Sequence, residues 1–239
     1  MTIFKNRTDA GRTLAEALSK YEGDPAVVVL ALPRGGVPVG FEVANALNAP
    51  LDVFLVRKLG VPGHEELAMG AIASAGVLVL NEGVVNTLNI SERTVESVAT
   101  RERAELERRE RTYRGNRRPV ELAGKIAILV DDGLATGASM RAAVAALRSQ
   151  QPSRIVVAVP TGPAETCRSF RDQADEVICL TTPGPFAAVG QWYDDFAQTT
   201  DEEVRHLLEL ADSLPRQSVP FQSERGVFNE QESLADRGA

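Results

Sequence analysis

The sequence predicts an α/β fold built on a buried parallel sheet. Three observations carry this. Short β-branched runs, apolar almost throughout, recur along the chain; glycine-containing loops follow them; and the loops lead into segments of helical apolar period. Strands apolar on both faces belong in a sheet covered by helices on both sides. In open sheets of this kind ligands sit outside the carboxyl ends of the strands, so the loops there are where a site is sought.

Taken in order, Leu14, Leu18 and Tyr21 recur at i, i+4 and i+7 and predict a first helix, with Thr8 or Asp9 as its cap. Ala26–Leu30 reads as a strand running into Pro33-Arg34-Gly35-Gly36, then a helix carrying Val39, Val43 and Leu47. Leu51–Val56 reads as a strand ending in Arg57-Lys58 and a loop. Residues 91–118 form a dense charged helix, laced with i,i+4 pairs from Arg101 to Arg111, and read as a solvated helical excursion from the core, with a role in dimer contact or lid movement as the alternative. Ile126–Val130 ends in two aspartates and a glycine-rich turn, followed by a helix over Ser139–Ser149. Ile155–Val159 and Glu176–Leu180 are two more strands, with a helix around Ala164–Gln173 between them. A last helix, Thr200–Leu210, carries His206 among Val204, Leu207 and Leu208, where it reads as structural. From about Gln217 the chain is polar and aperiodic, as in a poorly ordered tail.

At 239 residues, 44% apolar and 25% charged, the chain suits one soluble domain with trimmings. Its net charge of −7 argues against a protein that coats nucleic acid through phosphate contacts, and no DNA-binding element stands out. No apolar run approaches the ~20 residues of a membrane span. The start, Met1 to Arg7, has no apolar signal core. Cys167 and Cys179 are too few for a disulfide framework or a closed zinc site. They read as buried small hydrophobes in a reduced cytoplasm.

The informative segment is Ile128 to Met140. An apolar strand delivers Asp131 and Asp132 to its end; a turn follows, then Ala135-Thr136-Gly137-Ala138-Ser139 opens a helix. Free N–H groups and the positive dipole end of a helix suit a phosphate dianion. Thr136 and Ser139 add hydroxyls, and Gly137 lets the backbone come close. Two carboxylates beside that cradle suit a ribose diol or a hydrated Mg²⁺. There is no Gly-Lys-Ser/Thr of a P-loop, and no Gly-x-Gly-x-x-Gly after the first strand.

This segment resembles the 5-phosphoribosyl-1-diphosphate (PRPP) motif of type I phosphoribosyltransferases, and is closest to the form seen in adenine phosphoribosyltransferases. The resemblance covers most of residues 1–212. It implies a parallel-sheet type I phosphoribosyltransferase fold over residues 1–216. A small hood from the chain ends (about 1–22 and 181–212), the helical insertion at 91–118 and a tail at 217–239 complete it. By resemblance Asp131 and Asp132 contact the ribose hydroxyls and Mg²⁺, and Ala135, Thr136, Gly137, Ala138 and Ser139 hold the 5-phosphate. Arg34, Gly35 and Gly36 stand in the pyrophosphate loop, and Arg57 and Lys58 in a second pyrophosphate-contacting turn. Lys58 joins the two aspartates as a catalytic group. Gly60–Met69 takes the place of the flexible catalytic loop. Hypoxanthine-guanine members carry a further aspartate where this chain has Ala135, so 6-oxopurine specificity does not carry over.

The implied activity moves the 5-phosphoribosyl group from PRPP to a nitrogenous, purine-like base and releases pyrophosphate with Mg²⁺. The alternative from the same fold is a non-catalytic PRPP or nucleotide sensor; a phosphoribosyl hydrolase is the weaker third. The implied partners are PRPP and a small base, with neither nucleic acid nor membrane. The sequence is silent on oligomeric state, and because the fold commonly dimerises the resemblance adds a homodimer as an expectation. His64 with Glu65 and Glu66 reads as a solvent-facing loop cluster. In the aromatic stretch from Phe186 to Phe196, packing of the C-terminal helix competes with base stacking by Phe186, Trp192 or Tyr193.

Overall fold

The computed structural model describes residues 4–115 and 117–215. The tail expected beyond Gln217 lies outside the described residues. Helix α1 (Arg7–Ala17) leads to strand β1 (Val27–Ala31), helix α2 (Gly36–Leu47) and strand β2 (Leu51–Val53). Strands β3 (Val56–Val61), β4 (His64–Ala73) and β5 (Val77–Leu80) then form a unit of their own. Helices α3 (Glu82–Thr87) and α4 (Glu92–Arg114) return the chain to β6 (Ile126–Val130). There follow α5 (Ala138–Arg148), β7 (Arg154–Thr161), α6 (Ala164–Ser169), β8 (Glu176–Thr181) and α7 (Asp201–Ser213).

The main sheet has the order β2-β1-β6-β7-β8, and every pairing in it is parallel. Alternate residues of each central strand supply one of two cores. Val27, Val29, Ile128, Val130, Val156 and Ala158 face α2, whose Val39, Val43 and Leu47 pack there. Val28, Leu30, Ala127, Leu129, Ile155, Val157 and Val159 face α5, with Met140, Ala143, Val144 and Leu147. Burial on both faces is why these runs lack polar alternation; each fully buried Val or Leu contributes about 1.5–3 kcal/mol.

The two cores also place the site. After β1 the chain turns to the α2 face, whereas after β6, its parallel neighbour, it turns to the α5 face. The two loops part at that point and leave a crevice between them, the topological switch point of an open sheet.

Four expectations are corrected. The strand read over Leu51–Val56 stops at Val53, and Val56 opens an antiparallel sheet of order β3-β4-β5. The span Gly60–Met69, read as a flexible loop, is therefore the β3–β4 hairpin. Its glycines suggest mobility, but Leu59, Val61, Met69 and Ile72 on the hairpin strands are buried in the core. Helix α4 is no solvated excursion either. Val95, Ala99, Leu106 and Tyr113 are buried, and Arg114, itself buried, donates to Asp52 Oδ1 at 2.9 Å, to Glu110 Oε1 at 2.9 Å and to the Val53 carbonyl at 2.6 Å. A buried charge so fully bonded holds the end of α4 against β2. Finally, Cys167 and Cys179 are joined in a disulfide, with Cα atoms 6.4 Å apart, linking α6 to β8. Among the described residues no helix is long and apolar enough to cross a membrane.

Candidate functional site

Parallel pairing of β1 with β6 sets Ala31 opposite Val130, so the loops that follow them start side by side. The Leu32 N–H donates to the Val130 carbonyl at 2.9 Å and carries the pairing one residue further. Gly35 and Gly36 then pass directly over the acidic pair. A methyl group on Gly35 would fall 2.0 Å from Asp132 Oδ2, and one on Gly36 would fall 2.7 Å from the Val130 carbonyl oxygen. Only glycine permits this approach. The first loop and the acidic pair thus lie in direct contact.

Within the pair, the Asp132 N–H donates to Asp131 Oδ1 at 2.8 Å. Burial, and then the charge of Asp132, hold the Asp131 carboxyl well above the usual carboxylate range. Burial raises Asp132 as well, but the guanidinium of Arg7 opposes it. Arg7 donates from Nε and Nη2 to Asp132 Oδ2, at 2.9 and 2.8 Å. The Tyr193 hydroxyl donates to the Asp132 carbonyl at 2.6 Å, and burial pushes its own pKa upward.

Beyond the pair, residues Ala135–Ser139 wrap the N-terminus of α5. Gly137 has φ +73°, the left-handed region that suits glycine. Ala135, Thr136, Ala138 and Ser139 are exposed. Among the described residues the N–H groups of Gly137, Ser139 and Met140 meet no protein acceptor. Helix α6 supports this loop from behind. Thr166 Oγ1 donates to the Ala135 carbonyl at 3.3 Å, and the Phe170 ring lies where a Gly137 side chain would be. Arg141 donates to the Thr136 carbonyl and, at 2.9 Å, to Ser169 Oγ. The result is a rigid, outward-facing set of N–H donors.

The basic candidates divide. Arg34 stands beside Gly35 at the crevice, about one-third exposed, and its Nη1 lies 3.6 Å from Asp201 Oδ1 of α7. Arg57 and Lys58, expected at a strand end, sit inside β3 instead. Arg57 donates to Glu102 of α4 at 2.6 Å, and Lys58 Nζ to the Glu66 carbonyl at 3.4 Å. Neither bonds to the acidic pair. The structure brings together Arg34, Gly35, Gly36, Asp131 and Asp132, and continues from them into Ala135–Ser139. Arg57 and Lys58 are left on the hairpin.

Arg7 and Tyr193 were not singled out from the sequence as partners of the acidic pair. They come from the chain ends, which meet where Phe4 N–H donates to the Trp192 carbonyl and Asp194 N–H to the Phe4 carbonyl, both at 2.9 Å. Trp192 and Tyr193 are buried with Phe4 rather than presented for stacking. Phe186 lies over Trp192 at 5.9 Å.

Whether the acidic pair suits a metal rests on its own donor chemistry. Among the described residues no group of three or more His, Cys, Asp and Glu side chains is placed to hold a metal. Two adjacent carboxylates are a donor set suited to Mg²⁺ that keeps water and substrate oxygens as its other ligands.

The profile of the phosphoribosyl transferase domain matches residues 2–193 of this chain. The chain belongs to this family. The phosphoribosyl transferase domain described above is similar to two Mycobacterium tuberculosis proteins, "Putative phosphoribosyl transferase Rv0571c" of strain H37Rv and its counterpart MT0597 of strain CDC 1551. It is 50% identical to each over 211 residues. That match covers 88% of this chain but 47% of theirs, so the chain spans about half the length of these relatives. It is also similar to the crystal structure of TT1426 from Thermus thermophilus, with a TM-score of 0.78 and 44% identity over 87% of this chain and 98% of that one.

Proposed function

We propose that this phosphoribosyl transferase domain moves the 5-phosphoribosyl group of PRPP onto a nitrogenous, purine-like base and releases pyrophosphate. The observation that carries the reading is the contact of Gly35-Gly36 with Asp131-Asp132. That contact holds the loop after β1 against the acidic pair, from which the chain runs on into Ala135–Ser139 at the start of α5, and it supports reading the three as diphosphate, ribose and 5-phosphate subsites.

In this reading the N–H groups of Gly137, Ser139 and Met140 hold the 5-phosphate, helped by the Thr136 and Ser139 hydroxyls. Asp131 and Asp132 orient the ribose hydroxyls and favour positive charge on the ring as the bond to pyrophosphate breaks. Arg34 and the backbone of Gly35-Gly36 take the negative charge that leaves. Asp131 and Asp132 would hold Mg²⁺, which when bound would supply positive charge to offset that of the diphosphate. The meeting chain ends, α1 with residues 192–197, form a hood that excludes water, which otherwise competes as acceptor. Arg57 and Lys58 lie within β3 and bond to Glu102 and Glu66, so they are secondary candidates here.

One observation favours a second reading, a sensor without turnover: Arg34 and Arg57 already lie against carboxylates of α7 and α4. A single experiment separates the two. PRPP is titrated calorimetrically with and without Mg²⁺, and pyrophosphate release is then followed over a panel of purine and pyrimidine bases. Mg-dependent binding with turnover on one base is expected. Binding without turnover on any base moves the weight to the sensor, and no binding removes both.

A further inference from the structure

We propose that Arg7 is a positioning residue of this site: its guanidinium fixes the Asp132 carboxylate and, through the same group, docks the 193–197 segment of the hood over it. The ligand side of this inference rests on the phosphoribosyl-transfer reading. The geometry stands without it.

Arg7 opens α1 and its side chain is 12% exposed. Two of its N–H groups converge on Asp132 Oδ2, at 2.9 and 2.8 Å. A third donates from Nη1 to the Ala197 carbonyl at 2.7 Å. Its flat face covers the Phe196 ring, with Cζ 3.9 Å from the ring centroid. Nε also borders Gly35, where a methyl group would come within 3.3 Å of it. The acidic pair, the loop after β1 and the hood therefore meet on one side chain.

Charge alone does not do this. A lysine ammonium is a single point at the end of a flexible stem. It has no fork to span Asp132 and Ala197 together, and no plane to lie on Phe196. The hood holds Asp132 a second time through the Tyr193 hydroxyl on its carbonyl. A ligand that engages Asp132 thus acts on a residue whose two ends are tied to the hood, and hood docking and ligand binding are linked through Arg7.

The reporter is built in. Trp192 is the only tryptophan of the chain, is 5% exposed, and directly precedes Tyr193. If the hood lifts, Trp192 meets solvent. The test uses the wild-type chain with Arg7→Gln and Arg7→Lys, each verified as folded by far-ultraviolet circular dichroism. Two quantities are measured: calorimetric affinity for PRPP with Mg²⁺, and acrylamide quenching of Trp192 with and without PRPP.

Arg7→Gln is expected to lose about tenfold to hundredfold in PRPP affinity, the range for losing a hydrogen bond to a charged group, and to raise the quenching of Trp192. Arg7→Lys is expected to regain part of the affinity while Trp192 stays as quenchable as in Arg7→Gln. Wild-type affinity and quenching in Arg7→Gln overturn the inference. Full recovery of both in Arg7→Lys also overturns it, because Arg7 is then a counter-charge only. If the wild-type chain binds no PRPP, the substrate reading fails at that titration, before any variant is compared, and the role of Arg7 toward PRPP falls with it.

Discussion

At the scale of single residues, Asp131 and Asp132 stand half-buried side by side, and only Asp132 has an arginine hydrogen-bonded to it. Asp131 is therefore held in an unfavourable state whenever it ionises. A carboxyl whose pKa is raised on folding keeps its full contribution below the unfolded value, about 3.9, and loses it as the pH rises through the folded value. Above that unfolded value, the raised pKa of Asp131 thus works against the fold. Asp131→Asn keeps an oxygen for the Asp132 N–H and removes the charge. It is expected to raise the melting temperature at pH 7, by about 2–4 °C per kcal/mol relieved, to flatten the loss of stability as the pH rises above about 4, and to abolish Mg-dependent PRPP binding. Thermal melts across that pH range with a PRPP titration check it; a lower melting temperature for the variant at pH 7 would count against it. The same residues show what could be read in advance. Asp131 to Ser139 was legible because strand end, acidic pair and helix start follow one another in sequence. Arg7 was not, because its partner lies 125 positions away and a lone arginine in a first helical turn has no spacing to mark it.

At the scale of elements, the sheet, its crossing helices and the charged helix α4 were legible in the sequence, whereas the buried face of α4 and the hairpin were not. Glu102 and Arg114 stand on the buried side of α4, where they interrupt the apolar stripe; their partners, Arg57 and Asp52, come from β3 and β2. A pattern of hydrophobicity cannot show a face built partly of ion pairs. Helix α4 also touches the site indirectly. The Tyr113 hydroxyl donates to Asp201 Oδ1 at 2.9 Å, and Asp201 is the carboxylate facing Arg34. Burial, then Asp201, pushes the Tyr113 hydroxyl up to about 12. A tyrosine raised in this way supports the fold fully below its unfolded value of about 10 and loses that support as the pH climbs to about 12. Tyr113→Phe is expected to cost about 1 kcal/mol at pH 8 and to lack this alkaline loss. Urea unfolding from pH 8 to 11.5 measures both, and an unchanged alkaline slope in the variant would assign it to another group.

At the scale of the whole molecule, the crevice exists because neighbouring strands send their chains to opposite faces, and its cradle is only as firm as what backs it. That backing is α6, through Thr166, Ser169 and Phe170. Helix α6 is short, and β8 is an edge strand of the main sheet, so each is weakly held by its own hydrogen bonds. The Cys167–Cys179 bond ties one to the other across 12 positions. Nothing in a sequence of two cysteines reveals this, since the pairing depends on α6 folding back along β8. A link that closes a loop of this size contributes about 3 kcal/mol in the chain-entropy account, which corresponds to a fall of about 6–12 °C in melting temperature on reduction for a protein of this length. The expected result is such a fall with a dithiol reductant, with two alkylated thiols found by intact mass after reduction and none before it. The double variant Cys167→Ser with Cys179→Ser should melt where the reduced protein melts and ignore the reductant. Ribose 5-phosphate, which needs the cradle and not the diphosphate loop, should bind more weakly to the reduced chain. A melting temperature unmoved by complete reduction would mean that α6 and the phosphate cradle stand without the cross-link.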